Sequence, residues 1–179
     1  TNADRTGFDM IEAHLAHGYL LSSFISPYTN RREDAFGGDI ESRMRFPLRV
    51  IAAMREAWPV EKPMSVRISA TDWVEGGLSE ADMLAVSEML KTAGIDIINV
   101  STGQVASDED PIYGRMFQAP FADLIRNETK MPTIVAGNIT TADQANTLVA
   151  AGRTDIVAFS RIIMNDPHFV LKAADHYGH

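Results

Sequence analysis

Short apolar runs at residues 8–13, 64–70, 95–100, 133–136 and 155–159 alternate with longer amphipathic segments. That alternation constrains the fold more than any other feature of the chain. Runs this short that are apolar at nearly every position read as strands of a parallel sheet covered on both faces. Parallel neighbours need long crossovers, and the intervening segments carry helix signals. Pro47 suits the first turn of a helix running to Trp58. Ser79 reads as an N-cap with Asp82 at the third helical position, and that helix runs to about Ala93 and stops at Gly94. Pro120 starts a helix that ends near Lys130, and Thr140 or Thr141 caps another that runs to Ala151 and is closed by Gly152. A last helix is predicted over about residues 167–177. Strand and helix alternate throughout, which places the chain in the α/β class.

Two α/β architectures compete, an open doubly wound sheet and a (β/α)₈ barrel. Polar residues cluster just past every strand end: His14 and His17, Arg67, Ser101 and Thr102, Gly137 and Asn138, Ser160 and Arg161. A barrel collects all of these on its C-terminal face. No glycine-rich dinucleotide fingerprint follows the first strand. A TIM barrel needs about 250 residues, whereas this chain has 179. The expectation is therefore the C-terminal portion of a TIM (β/α)₈ barrel, about strands four to eight, without the first three βα units. The gap is placed at the N-terminus because the last helix coincides with the chain's end. The outer strands would then be open edges calling for a partner, either the N-terminal half of the barrel or a second copy of the chain.

Composition narrows the function. The net charge is −8 with no Lys/Arg-rich run, which argues against nucleic acid. No apolar run approaches the roughly 20 residues of a membrane span, and the first residues carry no signal-peptide core. Cysteine is absent, which excludes disulfides and thiolate-metal sites. Cytoplasm is the default expectation.

His14, His17 and Tyr19 fall within six residues at the end of the first run. Gly18 can turn the chain so that both imidazoles point inward and donate to one oxygen, with Tyr19 as a proton source. A structural histidine and a packed tyrosine are the plainer alternative. Glu12 with the two histidines also suggests a metal, but without a third ligand of clear origin that signal is weak, and no metal is expected. Arg67 is a charge inside an apolar strand, so it requires either a carboxylate partner or an anionic ligand. Gly137-Asn138 and Ser160-Arg161 end consecutive strands, where backbone N–H groups and an arginine can hold a phosphate. Trp73 and Tyr113 lie in separate loops and either wall a substrate pocket or anchor their loops. Residues 26–38 lack apolar periodicity and must be held by their own hydrogen bonds. Arg31, Arg32, Asp34, Glu41, Arg43 and Arg45 can form a salt-bridged scaffold there.

Taken together, residues 7–9, 14–21, 24–27, 30–32, 36–38, 41–43 and 45–46 resemble the Old Yellow Enzyme family of FMN-dependent ene-reductases and NAD(P)H:flavin oxidoreductases. The likeness covers nearly the whole chain. Residues 19–27, 68–77 and 113–118 look most like the reductase-like C-terminal domain of salicylyl-CoA or anthraniloyl-CoA oxygenases.

The resemblance implies that residues 1–179 are the C-terminal part of a single FMN-binding barrel domain. It implies that His14 and His17 bind the substrate oxygen, that Tyr19 donates the proton, and that Arg67 lies beside the flavin pyrimidine edge. Gly137, Asn138, Ser160 and Arg161 match the FMN phosphate region, although the family commonly has glycine where this chain has Ser160. NAD(P)H is the implied reductant, and an FAD domain could precede this chain. The implied substrate is a small molecule, with an aromatic acyl-CoA or its dearomatised product suggested by the subfamily likeness. The competing expectations are a non-catalytic assembly module and a phosphosugar- or metal-dependent barrel enzyme.

Overall fold

The computed structural model describes residues 1–178. Its centre is a five-stranded parallel sheet with strands in sequence order: β1 (Ile11–Leu15), β2 (Met64–Ser69), β3 (Ile97–Ser101), β4 (Thr133–Val135) and β5 (Ile156–Val157). Each strand pairs only with its sequential neighbours, Ala13 opposite Val66, Val66 opposite Ile98, and Val100 opposite Val135. Parallel crossovers are right-handed almost without exception. A sheet wound in one direction therefore carries its crossover helices on a single face, and this separates an arc of a barrel from a doubly wound sheet. The fold is the expected one, a portion of a (β/α)₈ barrel.

Helices α1 (Asn2–Arg5), α2 (Leu20–Ile25), α3 (Ile40–Ala57), α4 (Glu80–Thr92), α5 (Ala119–Thr129), α6 (Ala142–Ala150), α7 (Arg161–Asn165) and α8 (Phe169–His176) complete the chain. The core lies between the sheet and the longer helices. Ala13, Leu15, Val66, Ile68, Ile98, Val100 and Val135 meet Met44, Ile51, Met83, Val86, Leu90, Ile125 and Leu148 there. Ile98 sits on the central strand with no exposed surface. Ile98→Ala is expected to cost about 2–5 kcal/mol through the cavity it leaves, measured as a shift in denaturant midpoint at constant slope.

The local signals that depend on one turn of chain held. Ser79 Oγ accepts from the Asp82 amide at 3.1 Å, and the Asp82 carboxylate reaches back to the Ser79 amide at 3.4 Å, completing a capping box. Thr141 caps α6, and Lys130 ends α5 in the left-handed conformation.

Three expectations need correction. The first strand is residues 11–15, not 8–13: Phe8 and Met10 are exposed, and Ala13 and Leu15 carry the buried face. His14 therefore lies in the strand and only His17 follows it. Pro47 does not start its helix. Asp39 does, accepting from the Ser42 amide at 2.7 Å, and Pro47 lies buried in the interior of α3. An interior proline costs about 3 kcal/mol, but one turn before it Met44 is fully buried in the core and holds the helix in register.

The strands are also not apolar on both sides. Glu12, His14, Ser65, Arg67, Ser69, Asn99 and Ser101 alternate with the core residues and so share the face turned away from the helices. Ser65 Oγ and Asn99 Nδ2 both donate to the Glu12 carboxylate, at 2.9 and 3.0 Å, which ties three strands together on that face.

Residues 26–38 are held by their own hydrogen bonds as expected, but the salt-bridged scaffold does not form: among the described residues, of its six members only Arg32 and Asp34 pair with each other. Asn30 Nδ2 donates to Phe24 O and Phe36 O, both at 2.7 Å. Arg43, buried at the start of α3, donates to Ile25 O at 2.8 Å and Gly38 O at 2.7 Å, and its third nitrogen lies 3.2 Å from Asp82. Arg32 pairs with Asp34. A Cβ on Gly37 would sit 2.0 Å from Arg32 O. Gly37→Ala is thus expected to destabilise the chain by more than about 2 kcal/mol, read from thermal unfolding.

Candidate active site

The strand ends bring six of the predicted residues to one cavity, whereas His14, Tyr19, Trp73 and Tyr113 are not among its lining residues. An open cavity of about 640 Å³ is lined by His17, Arg67, Ser101, Gly137, Asn138, Ser160 and Arg161, together with Gln104, Phe117 and Gln118. That volume suits a cofactor-sized ligand.

His17 is the most tightly held of these. Its backbone is left-handed (φ 61°), its amide donates to Ser69 Oγ at 3.0 Å, and its Nε2 lies 2.6 Å from Ser101 Oγ. Gly18 continues the left-handed turn and passes so close to the next loop that a Cβ would lie 2.8 Å from Gln104 O. The turn reverses the chain directly after β1 and sets three rings against one another. The His14 and His17 rings meet edge to face at 5.2 Å, and the Tyr19 ring lies 5.2 Å from His14. Tyr19 is also the N-cap of α2 and stands largely exposed.

Burial, with the charges of Arg67 and His14 added, pushes the His17 pKa down to about 4. The ring is neutral at pH 7. In the unfolded chain an imidazole takes up its proton near pH 6.5, but in the folded chain only near 4. Between those values the unfolded state binds more protons, so stability falls as the pH drops through the window. The wild type is expected to lose stability from pH 6.5 to 4 more steeply than His17→Asn, measured by denaturation at a series of pH values.

Arg67 is half-buried in β2. Its Nη2 donates to Ser101 Oγ at 3.3 Å, its Nε is buried with no partner, and among the described residues no carboxylate pairs with it. Of the two ways to accommodate this charge, the internal ion pair is not the one used. A buried guanidinium N–H left unpaired calls for an acceptor from outside these residues.

Gly137 and Asn138 follow β4, both with positive φ (95° and 54°). A Cβ on Gly137 would lie 2.9 Å from Phe117 and Gln118, so glycine here is required by the packed start of α5. Asn138 Nδ2 donates to Gly114 O at 3.1 Å, and its carbonyl accepts from the Met116 amide at 3.3 Å, fixing the loop after β3 over the cavity. Ser160, at φ −130°, occupies backbone that does not require glycine, and Arg161 is exposed.

Trp73 and Tyr113 do not line the cavity. Trp73 packs edge-on against Phe121 at 5.7 Å with its indole N–H buried and unpaired, and Tyr113 packs on Phe117 at 5.2 Å. Tyr113 thereby touches the wall only through Phe117. Gln118, buried beside Ser101 and Thr102, belongs to the site; in the sequence it stood only as the last residue of the family-like stretch 113–118, with no site role attached. No group of three or more metal-ligating side chains forms among the described residues.

The chain as a whole is matched by known proteins. The model of the NADH:flavin oxidoreductase / NADH oxidase family matches residues 1–178. The chain belongs to that family. It is 39% identical over 176 residues to the NADPH dehydrogenase of Listeria innocua, covering 98% of this chain and 51% of that protein. It is 40% identical to the NADPH dehydrogenase of Geobacillus thermodenitrificans, with the same coverage. The chain thus spans about half the length of the curated relatives it matches.

Among solved structures it resembles a 2-naphthoyl-CoA reductase in complex with 2-naphthoyl-CoA (TM-score 0.87, 27% identity, 97% of this chain and 27% of the other). It also resembles morphinone reductase (TM-score 0.78, 29% identity, 97% of this chain and 46% of the other). Family and fold agree with the resemblance that the sequence motifs carry.

Proposed function

We propose that these residues form the oxygen-polarising, protonating and flavin-edge part of an FMN-dependent NAD(P)H oxidoreductase that reduces an activated alkene. The observation that carries this reading is Arg67. Arg67 lines the same cavity as His17, its guanidinium is left with an unpaired Nε, and a flavin pyrimidine edge would give that charge a partner. A planar guanidinium suits the edge of a planar heterocycle that bears partial negative charge. Gly137, Asn138, Ser160 and Arg161 would hold the phosphate at the other end of the cavity, through backbone N–H groups and one charge-assisted bond.

Bound FMN would supply the redox chemistry, taking two electrons from NAD(P)H and giving hydride to the β-carbon of the alkene. The protein's own residues do the rest. His14 and His17 donate hydrogen bonds to the substrate carbonyl oxygen and stabilise the negative charge that grows there. Tyr19 delivers a proton to the α-carbon and recovers one from solvent, to which it is open. His17 is a donor without being an acid, because its ring stays neutral across the working pH range.

The substrate class we favour is an aromatic acyl-CoA or its dearomatised product. The motif likeness to acyl-CoA oxygenases supports it, as does the structural likeness to a 2-naphthoyl-CoA reductase in complex with 2-naphthoyl-CoA. Tyr113, exposed and packed on the lining residue Phe117, is the proposed contact for the aromatic ring, with Trp73 bracing the neighbouring loop.

The test is the flavin content and turnover of the purified full-length protein. It should carry FMN and oxidise NAD(P)H in the presence of an enone or aromatic acyl-CoA. A protein that neither retains nor rebinds FMN would overturn the reading in favour of an assembly module.

A further inference from the structure

We propose that Ser101 fixes the tautomer of His17, so that Nε2 is a hydrogen-bond acceptor and Nδ1–H is the donor presented to the substrate oxygen. This rests on the polarising role given to His17 above. It adds a positioning residue from a different strand.

A guanidinium only donates, so Arg67 Nη2 at 3.3 Å makes Ser101 Oγ an acceptor toward β2. The hydroxyl has one proton left to place. His17 Nε2 lies 2.6 Å from it. The other neighbour is the Gln118 side chain, at 3.5 Å. The surroundings of Gln118 are best satisfied with its NH₂ turned to donate to Val100 O at 3.0 Å and Ala136 O at 3.3 Å, which leaves its carbonyl toward Ser101 and Thr102.

Two arrangements then exist. In the first, Ser101 donates to His17 Nε2 and the ring's proton sits on Nδ1. In the second, His17 Nε2–H donates to Ser101, whose own proton must reach Gln118. The first uses a short O–H···N bond, whereas the second spends the proton on a separation at which little hydrogen bonding remains. The Arg67 charge beside Oγ also withdraws electrons from it, making the hydroxyl a better donor and a poorer acceptor. Both effects favour the first arrangement.

The choice matters because the ring carries a single proton at neutral pH. With Nε2 engaged by Ser101, Nδ1 is the ring nitrogen left without a protein partner among the described residues. In the second tautomer that nitrogen would turn a lone pair toward an oxygen gaining negative charge, which repels where it should stabilise. Turning the ring about its side-chain bonds would give up the 2.6 Å contact of Nε2 with Ser101, while the backbone beneath it is held left-handed with the amide bonded to Ser69. Arg67 thus has two tasks, one toward the ligand cavity and one through Ser101 to His17.

The experiment is ¹⁵N NMR of the full-length protein labelled at histidine, with the His17 signals assigned by His17→Asn. The expected spectrum is a neutral ring with protonated Nδ1 and bare Nε2. Ser101→Ala is expected to shift the ring toward Nε2–H and to lower kcat/KM by up to about 100-fold, as for loss of one donor to a developing oxyanion. Ser101→Thr, which keeps the hydroxyl, should restore both. A wild-type spectrum with Nε2 protonated, or an unchanged tautomer in Ser101→Ala, overturns the proposal regardless of activity. Protonated Nδ1 together with full turnover in His17→Asn would instead remove the polarising role of His17 and leave the hydrogen bond standing.

Discussion

Arg67→Met is expected to move stability and flavin binding in opposite directions. In the flavin-free chain the guanidinium is half-buried, with one neutral hydrogen bond to Ser101 and an unpaired Nε. A charge held that way is a cost to folding, and an apolar side chain of similar length removes it. The variant stripped of flavin should therefore melt at the same or a higher temperature than the stripped wild type. The same change removes the charged donor from the flavin edge. Charge-assisted hydrogen bonds contribute about 1.5–3 kcal/mol, or roughly 10–100-fold in affinity. Fluorescence titration with FMN should show that loss. If flavin affinity is unchanged, Arg67 has no part in holding the cofactor, and the proposed orientation of the cavity is wrong.

The second large effect is expected at the histidine pair. His14→Ala and His17→Ala should each lower kcat/KM by about 10²–10³, the cost of removing one donor from a developing oxyanion. Both donors serve one oxygen, so the double variant should lose less than the product of the single losses. FMN content should stay near wild type in all three, because neither ring is assigned to the cofactor. The loss at His17 should be flat from about pH 5 upward, since burial and the Arg67 charge keep its pKa near 4 and leave no titration above that range. Steady-state kinetics over pH with the flavin-loaded variants decides this. Equal turnover in His14→Ala and wild type would remove it from the site, despite its ring packing on both His17 and Tyr19.

Much of the fold was legible because helix ends and turns are decided within a few residues. The Ser79–Asp82 capping box, the Thr141 cap and the αL end of α5 at Lys130 lie where local chemistry puts them. The errors came where distant packing overrides local preference. Pro47 reads as a helix start, yet burial of Met44 extends the helix back to Asp39. Helix α2 (Leu20–Ile25) was missed because six residues are too few to show a helical period, and what buries Ser22 and Ile25 is the rest of the fold. In the site, residues with distinctive chemistry stood out: paired imidazoles, a phenol beside them, an arginine in a strand. Gln118 did not, because a glutamine before a helix is ordinary until its position beside Ser101 and Thr102 is known.

The sequence by itself determined the strand–helix alternation, the family resemblance and the residue types at each strand end. These follow from short-range periodicity and from motifs that need no partner to be recognised. Only the tertiary structure decided that the sheet winds one way, that its polar residues share the face away from the helices, and that His17 faces Ser101 while Arg67 lacks a carboxylate. Those facts depend on strand register. Shifting one strand by a single residue would turn Arg67 or Ser101 to the opposite face, and nothing within either strand alone records which residue of its neighbour it will oppose.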